Sequence, residues 1–577
     1  MRSAPWGLLL AGLLAGTAGA QTTVASPATQ ETPPGAGYSS LGPGRPMALS
    51  EQGLRATVSS NALRAPRGFT PLEVSLYNPA SVPRPVLLAF QSHDSGRSQV
   101  ARREVEVGPR QRLVTHLYVP STVRSGTVRL RSPETESSPV PLYFDEAEGA
   151  AVLVLGTEQG FEASTGLYKV TTSALLTARF LEPADAPREL AGYVGYPTVV
   201  VAGETAALSA EVWAALEAYA ASGGRLVLTR PPRDVAQYLP LLSAVSSEVH
   251  RYGFGQVRLC GAVEACGRGL GSDILVPEPA VKPVGAAPSW QRSSLTLRDG
   301  AQPLLPGARA PVGRFLFLIT LFALAVGPGG LLLARRKGPV ALLVAVPSVA
   351  FVTCLAIIAW SVLVDGFSTQ ASRYSVTLLD RPRARAVVLG LGSYYANLAR
   401  DDLRLPALGV LLAPEQSEDQ VAEADWTNGM TVVGGFLPSR TYREWGEAVV
   451  LPTRARLSVR REGEALRVQN ALGTSIETGY VKQGGEVWKV VALGDGAEGM
   501  ALPLPDVERE SSVAGLMAFT EPVTQRFAGL DWDALRRPLQ DGEFLVHLGG
   551  PGWAPTAALP VELHEGRHFV RGQVDGP

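Results

Sequence analysis

Two uncharged apolar stretches near the middle of the chain constrain its fold more than any other feature. Residues 315–334 contain no charged side chain, and a helix of this length rises about 30 Å, the thickness of the hydrocarbon core of a bilayer. A second stretch, residues 338–364, is also uncharged. We predict two transmembrane helices, 312–334 and 339–364, joined by a turn at 335–338. The alternative is a buried helical hairpin in a soluble protein.

The charges beside these stretches predict the orientation of the hairpin. The topology determinants are three adjacent cations, Arg335, Arg336 and Lys337. Short loops rich in Lys and Arg stay in the cytoplasm, so we expect both flanking regions to lie outside it. Residues 1–20 have the pattern of a signal peptide, with an uncleaved N-terminal anchor as the alternative. We therefore expect a protein of the bacterial inner (cytoplasmic) membrane, with its N- and C-terminal domains extracytoplasmic.

Composition excludes several functions. Lys and Arg number 52 against 53 Asp and Glu, so the net charge of −1 gives no electrostatic reason to expect nucleic acid as a partner. Three cysteines are too few for a disulfide scaffold or a four-cysteine zinc site. The two apolar stretches contain no Asp, Glu, Lys or His, so transport by this chain alone is not expected.

The region before the hairpin divides into three parts by its patterning. Residues 21–48 are rich in Pro, Gly, Ser and Thr and predict a flexible leader. Short alternating segments between Pro and Gly recur over residues 50–147, which predicts an Ig-like β-sandwich. Residues 149–285 alternate buried strands with helices, and residues 286–311 form a linker to the membrane.

The pattern over 149–285 is typical of an α/β layer. The predicted elements are strands at 151–156, 198–203 and 225–229, a helix near 173–181 and a helix from Ser209 to Gly223. Continuous apolar strands are expected where helices cover both faces of a sheet. The carboxyl ends of the three strands predict a cleft, with Thr157, Glu158, Glu204 and Arg230 as its candidate residues.

This order of strand, Gly, Leu-Ser, acidic helix, Gly-Gly and strand resembles the class I glutamine amidotransferase-like fold, a flavodoxin-like α/β structure. The enzymes of that family carry a Gly-x-Cys-x-Gly nucleophile elbow after such a strand. Here the strand is followed by Thr229-Arg230-Pro231-Pro232, and no cysteine precedes Cys260 in the exported region. The resemblance implies an amidotransferase-like domain. Because this sequence lacks the nucleophile, we expect the domain to be retained for binding. We assign no catalytic, cofactor-binding or metal-binding residue.

The cysteines and histidines allow few alternatives. Cys260 and Cys266 enclose a short Gly-containing segment in an exported region, so we predict a disulfide, with two reduced thiols as the alternative. A catalytic Cys260 would need contact with His250. His564 and His568 have a zinc-like spacing, but strand-forming residues flank a Glu-Gly turn, so we expect them on opposite arms of a hairpin and not at a metal site.

Residues 372–577 return to short alternating segments and predict a C-terminal β-sandwich. The segments at 466–470, 479–481 and 493–496 resemble a strand-loop-strand unit of bacterial membrane-anchored proteins that have the same order of parts. The predicted fold is therefore multidomain: an Ig-like β-sandwich, a flavodoxin-like α/β domain, two transmembrane helices and a C-terminal β-sandwich.

We expect a non-catalytic membrane-anchored envelope protein that presents exported domains for binding, in assembly or sensing. Its expected partners are other envelope proteins or an exported ligand, and no cofactor is expected. The alternative is an exported hydrolase or transferase that uses the α/β cleft, which requires a nucleophile, a base and an oxyanion donor to converge there. A third possibility is a subunit of a transporter.

Overall fold

The computed structural model describes most of the chain. The described residues are 37–40, 46–51, 53–59, 61–93, 98–132, 136–146, 150–169, 176–242, 249–260, 266, 295, 297–300, 302–305, 312–360, 368–401, 403–414, 421–505, 515–516, 521–527 and 537–576. The predicted signal peptide, the first part of the leader and most of the linker 286–311 lie outside these residues. Strands in several sheets and two apolar helices dominate the described part.

The N-terminal strands build two sheets that share one core. The first strand, β1 (Gly37–Ser40), belongs to the parallel sheet described below, and the strands of these two sheets are β2 (Pro46–Glu51), β3 (Leu54–Ser59), β4 (Asn61–Leu63), β5 (Phe69–Tyr77), β6 (Arg84–Ser92), β7 (Val100–Val107), β8 (Arg112–Pro120), β9 (Ser125–Arg131) and β10 (Val140–Asp145). One sheet has the order β2-β3-β5-β8, and the other contains β7-β6-β9-β10-β4. Val86, Leu88 and Phe90 alternate with less buried residues along β6, the pattern of a strand with one face in a core. These sheets fit the predicted Ig-like architecture.

The next region forms a sheet that is parallel except at one edge. Its elements are β11 (Ala150–Leu155), α1 (Glu158–Thr165), β12 (Tyr168–Lys169), β13 (Leu176–Leu181), β14 (Thr198–Val201), α2 (Ala210–Ser222), β15 (Arg225–Leu228), α3 (Val235–Tyr238), β16 (Val249–Tyr252) and β17 (Gly255–Leu259). The strand order is β12-β1-β13-β11-β14-β15-β17-β16, and only β16 is antiparallel to its neighbour. Three-residue 3₁₀ turns lie at Pro183–Asp185, Leu190–Gly192 and Thr205–Ala207.

Two expectations about this region were wrong. Residues 176–181 form the strand β13 and not a helix, because a short apolar run does not distinguish a buried strand from a helix. The leader is not flexible throughout, since β1 lies inside the parallel sheet between β12 and β13. Tyr38 of β1 is fully buried, with its ring 5.2 Å from that of Phe161.

The apolar stretches form a helical hairpin. Its elements are α4 (Val312–Leu324), a π-helical segment (Ala325–Gly329), α5 (Gly330–Lys337) and α6 (Val340–Trp360). Leu316–Lys337 and Val340–Ala359 are long and apolar enough to cross a membrane, with mean hydropathies of 2.3 and 2.6. A Cβ at Gly330 would lie 3.2 Å from the Leu342 side chain, so the two helices pack closely at this glycine.

The three topology determinants lie in the last turn of α5 and not in a connecting turn as predicted. Cations are favourable at a helix C-terminus because the terminal carbonyl groups carry partial negative charge. Gly338, with a φ of 83°, ends the helix and starts the tight turn into α6.

In the C-terminal region, eleven strands form one continuous sheet and three join a sheet of the N-terminal region, so this region is not the predicted sandwich of two separate sheets. Its elements are β18 (Thr369–Asp380), β19 (Arg385–Ala396), β20 (Arg404–Leu405), β21 (Gly409–Leu412), β22 (Glu423–Asp425), β23 (Met430–Gly434), β24 (Tyr442–Pro452), β25 (Arg456–Glu462), β26 (Ala465–Ala471), β27 (Ile476–Gln483), β28 (Glu486–Leu493), β29 (Glu498–Pro503), α7 (Glu521–Arg526), β30 (Glu543–Leu548) and β31 (Glu562–Gln573), with 3₁₀ turns at Arg381–Arg383 and Pro555–Ala558. Eleven strands follow the order β21-β24-β19-β18-β31-β30-β27-β28-β29-β26-β25. The sheet curls around its own core, so that Ser458 on β25 bridges Asp575 after β31.

Strands from the two sides of the hairpin pair with each other. β22 lies parallel to β7, with Ala424 opposite Ala101, and β23 and β20 continue that N-terminal sheet outward. One hydrophobic core contains residues of the sandwich, of the α/β region and of the C-terminal region. The described residues outside the helical hairpin therefore pack together as one body.

Candidate functional site

The predicted cleft residues lie along one edge of the parallel sheet, because β11, β14 and β15 are neighbours. Thr157 caps α1, and its Oγ1 accepts a hydrogen bond from the backbone N–H of Gly160 at 3.1 Å. Glu158 accepts a hydrogen bond from Tyr38 Oη at 3.3 Å and forms an ion pair with Lys169 Nζ at 3.5 Å. Both side chains therefore hold local structure.

The other two cleft candidates are exposed to solvent. Glu204 precedes a 3₁₀ turn without capping it, and Arg230 follows β15 at the surface. Between β11 and β14 the chain closes on itself, since a Cβ at Gly156 would lie 2.8 Å from the backbone nitrogen of Gly203. None of the four candidates lies in the wall of the cavities described below.

The structure joins Cys260 and Cys266 in a disulfide, with their Cα atoms 5.2 Å apart. Both cysteines are buried beside apolar residues of β11 and β14. As a disulfide, Cys260 cannot act as a thiolate nucleophile, so it cannot form a catalytic pair with His250. Cys354 is a free cysteine on α6.

The two histidines with zinc-like spacing do not flank a hairpin turn as predicted. Both lie on the single strand β31, because the Glu-Gly pair between them continues the strand. His564 is exposed, whereas His568 is buried with its Nδ1 2.8 Å from the Oγ of Ser375.

A cavity of about 440 Å³ lies where the sandwich meets the α/β region, and we call it the junction groove. It is lined by Arg103 and Val105 of β7, by residues 111–116 and by residues 184–186, 188 and 189. Five consecutive residues of β8, 112–116, contribute, so the groove follows the edge of this strand, since successive side chains point to opposite faces.

Arg103 lines the groove and connects three parts of the chain. Its Nε donates to the carbonyl oxygen of Trp426 at 2.8 Å, its Nη1 to Thr115 Oγ1 at 3.1 Å and its Nη2 to Glu189 Oε1 at 2.8 Å. The other carboxylate oxygen of Glu189 accepts a hydrogen bond from Tyr118. Because Arg103 is only 6% exposed, these partners compensate for the burial of its charge.

His116 is another buried polar side chain in the wall of the groove. Burial, together with the nearby charges of Arg103, Arg179 and Arg188, lowers the pKa of His116 to about 3. The imidazole is therefore neutral at physiological pH. Its buried Nε2 has no hydrogen-bond partner among the described residues, so the ring retains unused hydrogen-bonding capacity.

Charged side chains and the unpaired edge of β8 lie at the rim of the groove. Arg112 Nη2 and Asp185 Oδ2 lie 3.7 Å apart across the groove, and Arg188 is exposed beside them. Among the described strands, β8 is the last of its sheet and pairs with β5 alone. Its alternate backbone N–H and C=O groups can therefore accept a further extended segment.

A second cavity, of about 330 Å³, lies between α2 and the C-terminal region. The rings of Trp213 and Tyr238 stack in its wall at 4.5 Å. Arg383 and Arg385, also in the wall, are paired with Asp380. This cavity is a gap at an internal contact whose charged groups are already engaged.

Sequence reasoning missed Arg103, His116 and Glu189 as members of one site. One signal was present: Ala101, Arg103 and Val105 occupy alternate positions of β7, so the arginine stands where an apolar side chain belongs. A buried charge at such a position requires partners. Those partners could not be identified, because Glu189 and Trp426 are far away in the sequence.

No protein-family model matches the chain, and no curated protein matches it. Among solved structures, the chain is similar to a cycloisomaltooligosaccharide glucanotransferase from Paenibacillus sp., complexed with cycloisomaltoheptaose, at 12% identity and a TM-score of 0.13. The match covers 27% of this chain and 20% of that chain, and a similarity of this size carries no argument about fold or activity.

Proposed function

We propose that the chain is a non-catalytic membrane-anchored envelope protein that presents one extracytoplasmic body for binding an exported protein or ligand. The observation that carries the proposal is the pairing of β22 with β7. These strands lie on opposite sides of the hairpin in sequence, so both flanking regions must occupy the same side of the membrane to pair.

The charge pattern supports placing that body outside the cytoplasm. Arg335, Arg336 and Lys337 stand at the end of α5 opposite to the body, and positive clusters of this kind stay cytoplasmic. The turn between the helices is too short to carry a cytoplasmic domain. Binding at the outer surface of the inner membrane is therefore the role that this architecture serves.

The α/β region supports binding more than hydrolysis or group transfer. The parallel strand order β13-β11-β14-β15-β17 supports the proposal of a flavodoxin-like α/β domain. In place of a nucleophile elbow, β15 leads into Thr229, whose hydroxyl donates to the carbonyl oxygen of Val201 at 3.1 Å. The hydroxyls of Thr157 and Thr229 both serve local structure, so the cleft lacks an available nucleophile at these positions.

We place the binding site in the junction groove. The groove combines an open strand edge, an exposed cation at Arg188 and a neutral histidine with unused hydrogen-bonding capacity. An extended segment of a partner protein would add to β8 through its backbone and place an acidic side chain beside Arg188. The groove therefore fits a role in assembling an envelope complex.

Affinity isolation of the tagged full chain from membranes of the producing cell tests this proposal. We expect a partner protein to copurify with the wild type and to be depleted at least about tenfold in Arg188→Glu, since reversing a charge at a complementary contact costs more than 1.4 kcal/mol. The matched control is Arg233→Glu, which changes an exposed arginine outside the groove. Recovery of a lone monomer, or equal depletion by both variants, would contradict the proposal.

A further inference from the structure

Both connections to the membrane leave the body at one end of the eleven-stranded sheet. Before the hairpin, the backbone N–H of Leu304 donates to Tyr442 Oη at 2.9 Å, and Tyr442 is the first residue of β24. After the hairpin, the carbonyl oxygen of Ser368 accepts from the N–H of Asn397 at 3.3 Å, just beyond β19. Tyr395 on β19 pairs with Tyr442, so the two connections lie close together.

The connections are short enough to hold this end near the bilayer. Six residues separate Leu305 from α4, and seven separate Trp360 from Ser368. A fully extended residue spans at most about 3.6 Å, so the first connection reaches no more than about 25 Å. The end of the sheet that carries Tyr442 therefore faces the membrane.

The surface at this end, which we call the platform, consists of residues 397–400, residues 438–441 and the start of β31. Ser439 Oγ donates to the carbonyl oxygen of Asn397 at 2.8 Å, and the N–H of Arg440 donates to that of Ala396 at 2.7 Å. These bonds hold the two loops together.

The platform exposes two large apolar side chains. Leu398 is 58% exposed, and Leu563, on β31 where that strand begins, is 52% exposed. Arg440 and His564 are exposed at the same end of the sheet, and Glu562 places one acidic group beside them. Apolar side chains bordered by a long cation are typical of surfaces that enter the lipid interface, because the leucines leave water while the guanidinium reaches the phosphates.

We propose that the platform rests on the headgroup region of the membrane that the hairpin spans, with Leu398 and Leu563 entering the interface. The contact depends mainly on burying the leucines, since Arg400 and Arg440 against Glu562 give the platform only a small net charge. It would fix the height and tilt of the body above the bilayer. This inference goes beyond the proposed function and does not depend on the identity of a partner.

Fluorescence quenching in nanodiscs tests the contact on the full chain. Cys354→Ala provides a background without a free cysteine, and Leu398→Cys then carries a single environment-sensitive fluorophore. The nanodiscs contain phosphatidylcholine with a nitroxide on a fraction of the headgroups. The matched control is Arg454→Cys, an exposed position just past the other end of β24, which at 11 residues places it roughly 35 Å from Tyr442.

We expect headgroup nitroxide to quench the fluorophore at position 398 at least about threefold more than at 454, because short-range quenching does not reach across the length of a strand. Leu563→Cys gives a second measurement if the first variant fails to fold. Equal quenching at the platform and the control positions would overturn the proposal. Protection from aqueous iodide without lipid quenching would also overturn it, because contact with another protein copy would then cover the leucines.

Discussion

Both terminal nitrogens of the Arg385 guanidinium group donate hydrogen bonds to the carboxylate of Glu217. Arg385 begins β19 after the hairpin, and Glu217 lies in α2 before it. The Nε of Arg385 also donates to Asp380 Oδ2 at 2.8 Å. The side chains of Glu217 and Arg385 are only 5% and 14% exposed, so this bidentate pair joins the α/β region to the C-terminal sheet away from water.

Removing one partner of this pair should destabilise the body. We expect Arg385→Ala to lower the free energy of unfolding by about 3–5 kcal/mol, because it leaves the Glu217 carboxylate buried without its partner. Denaturant unfolding of the detergent-solubilised protein measures the loss. As a control, Arg129→Ala removes a half-exposed ion pair with Glu136 and should change stability by less than about 1 kcal/mol. Equal effects of the two variants would contradict a special role for Arg385.

Trp426 should be the main apolar connection between the two flanking regions. It is 1% exposed, and its ring lies 5.1 Å from that of Phe69 and 4.9 Å from that of Tyr118. We expect Trp426→Ala to cost about 3–5 kcal/mol and Trp426→Phe clearly less, since phenylalanine fills part of the cavity. Limited proteolysis should then cut the alanine variant between the regions. An unchanged digestion pattern with unchanged stability would show that the pairing of β22 with β7 suffices.

Glu447 should make stability depend on pH. Burial raises the pKa of Glu447 to about 7, although Thr556 donates to its carboxylate from both the backbone N–H and the hydroxyl. The unfolded carboxyl loses its proton near its ordinary pKa of about 4.5, so the folded state binds more protons between these values. Stability from this group is therefore complete below about pH 4.5 and is lost as pH rises to about 7.

The variant Glu447→Gln removes this dependence, because an amide does not titrate. We expect the free energy of unfolding of the wild type, relative to the variant, to fall by about 3 kcal/mol between pH 4.5 and 8, at about 1.4 kcal/mol for each pKa unit. Denaturant titrations at several pH values measure the difference. A difference that stays constant, or that grows in favour of the wild type as pH rises, would refute the assignment.

Both flanking regions should be reachable from outside the inner membrane. In the Cys354→Ala background, we expect Arg233→Cys and Arg454→Cys to react with a membrane-impermeant maleimide in intact spheroplasts, since both positions are exposed and the proposed orientation puts them on the extracytoplasmic side. Lys337→Cys should react only after permeabilisation. Labelling of position 454 only after detergent is added would invert the proposed orientation of the C-terminal region.

The features that could be predicted from the sequence depend on neighbouring residues. The hairpin follows from two uncharged stretches, and the strand from 198 follows from four consecutive β-branched residues. The prediction of a helix near 173–181 was wrong, because an apolar run of this length is compatible with both a helix and a buried strand. Only pairing with neighbouring strands determines which of the two forms. Tyr38 could not be placed, because its parallel pairing with β12 and β13 brings it to residues more than 120 positions away.

The site shows the same division. Thr157 and Arg230 follow parallel strands, yet the junction groove lies elsewhere, where Arg103 meets Glu189 and Trp426. The sequence alone determined the two apolar helices and the charged end of their hairpin, because the free energy of transfer of side chains from water to lipid is a sum over adjacent residues. Only the tertiary structure decided that the two flanking regions form one body. The pairing of β22 with β7 joins residues more than 300 positions apart in the sequence. The entropy cost of closing so long a loop, and the burial that compensates for it, cannot be read from the residues next to either strand.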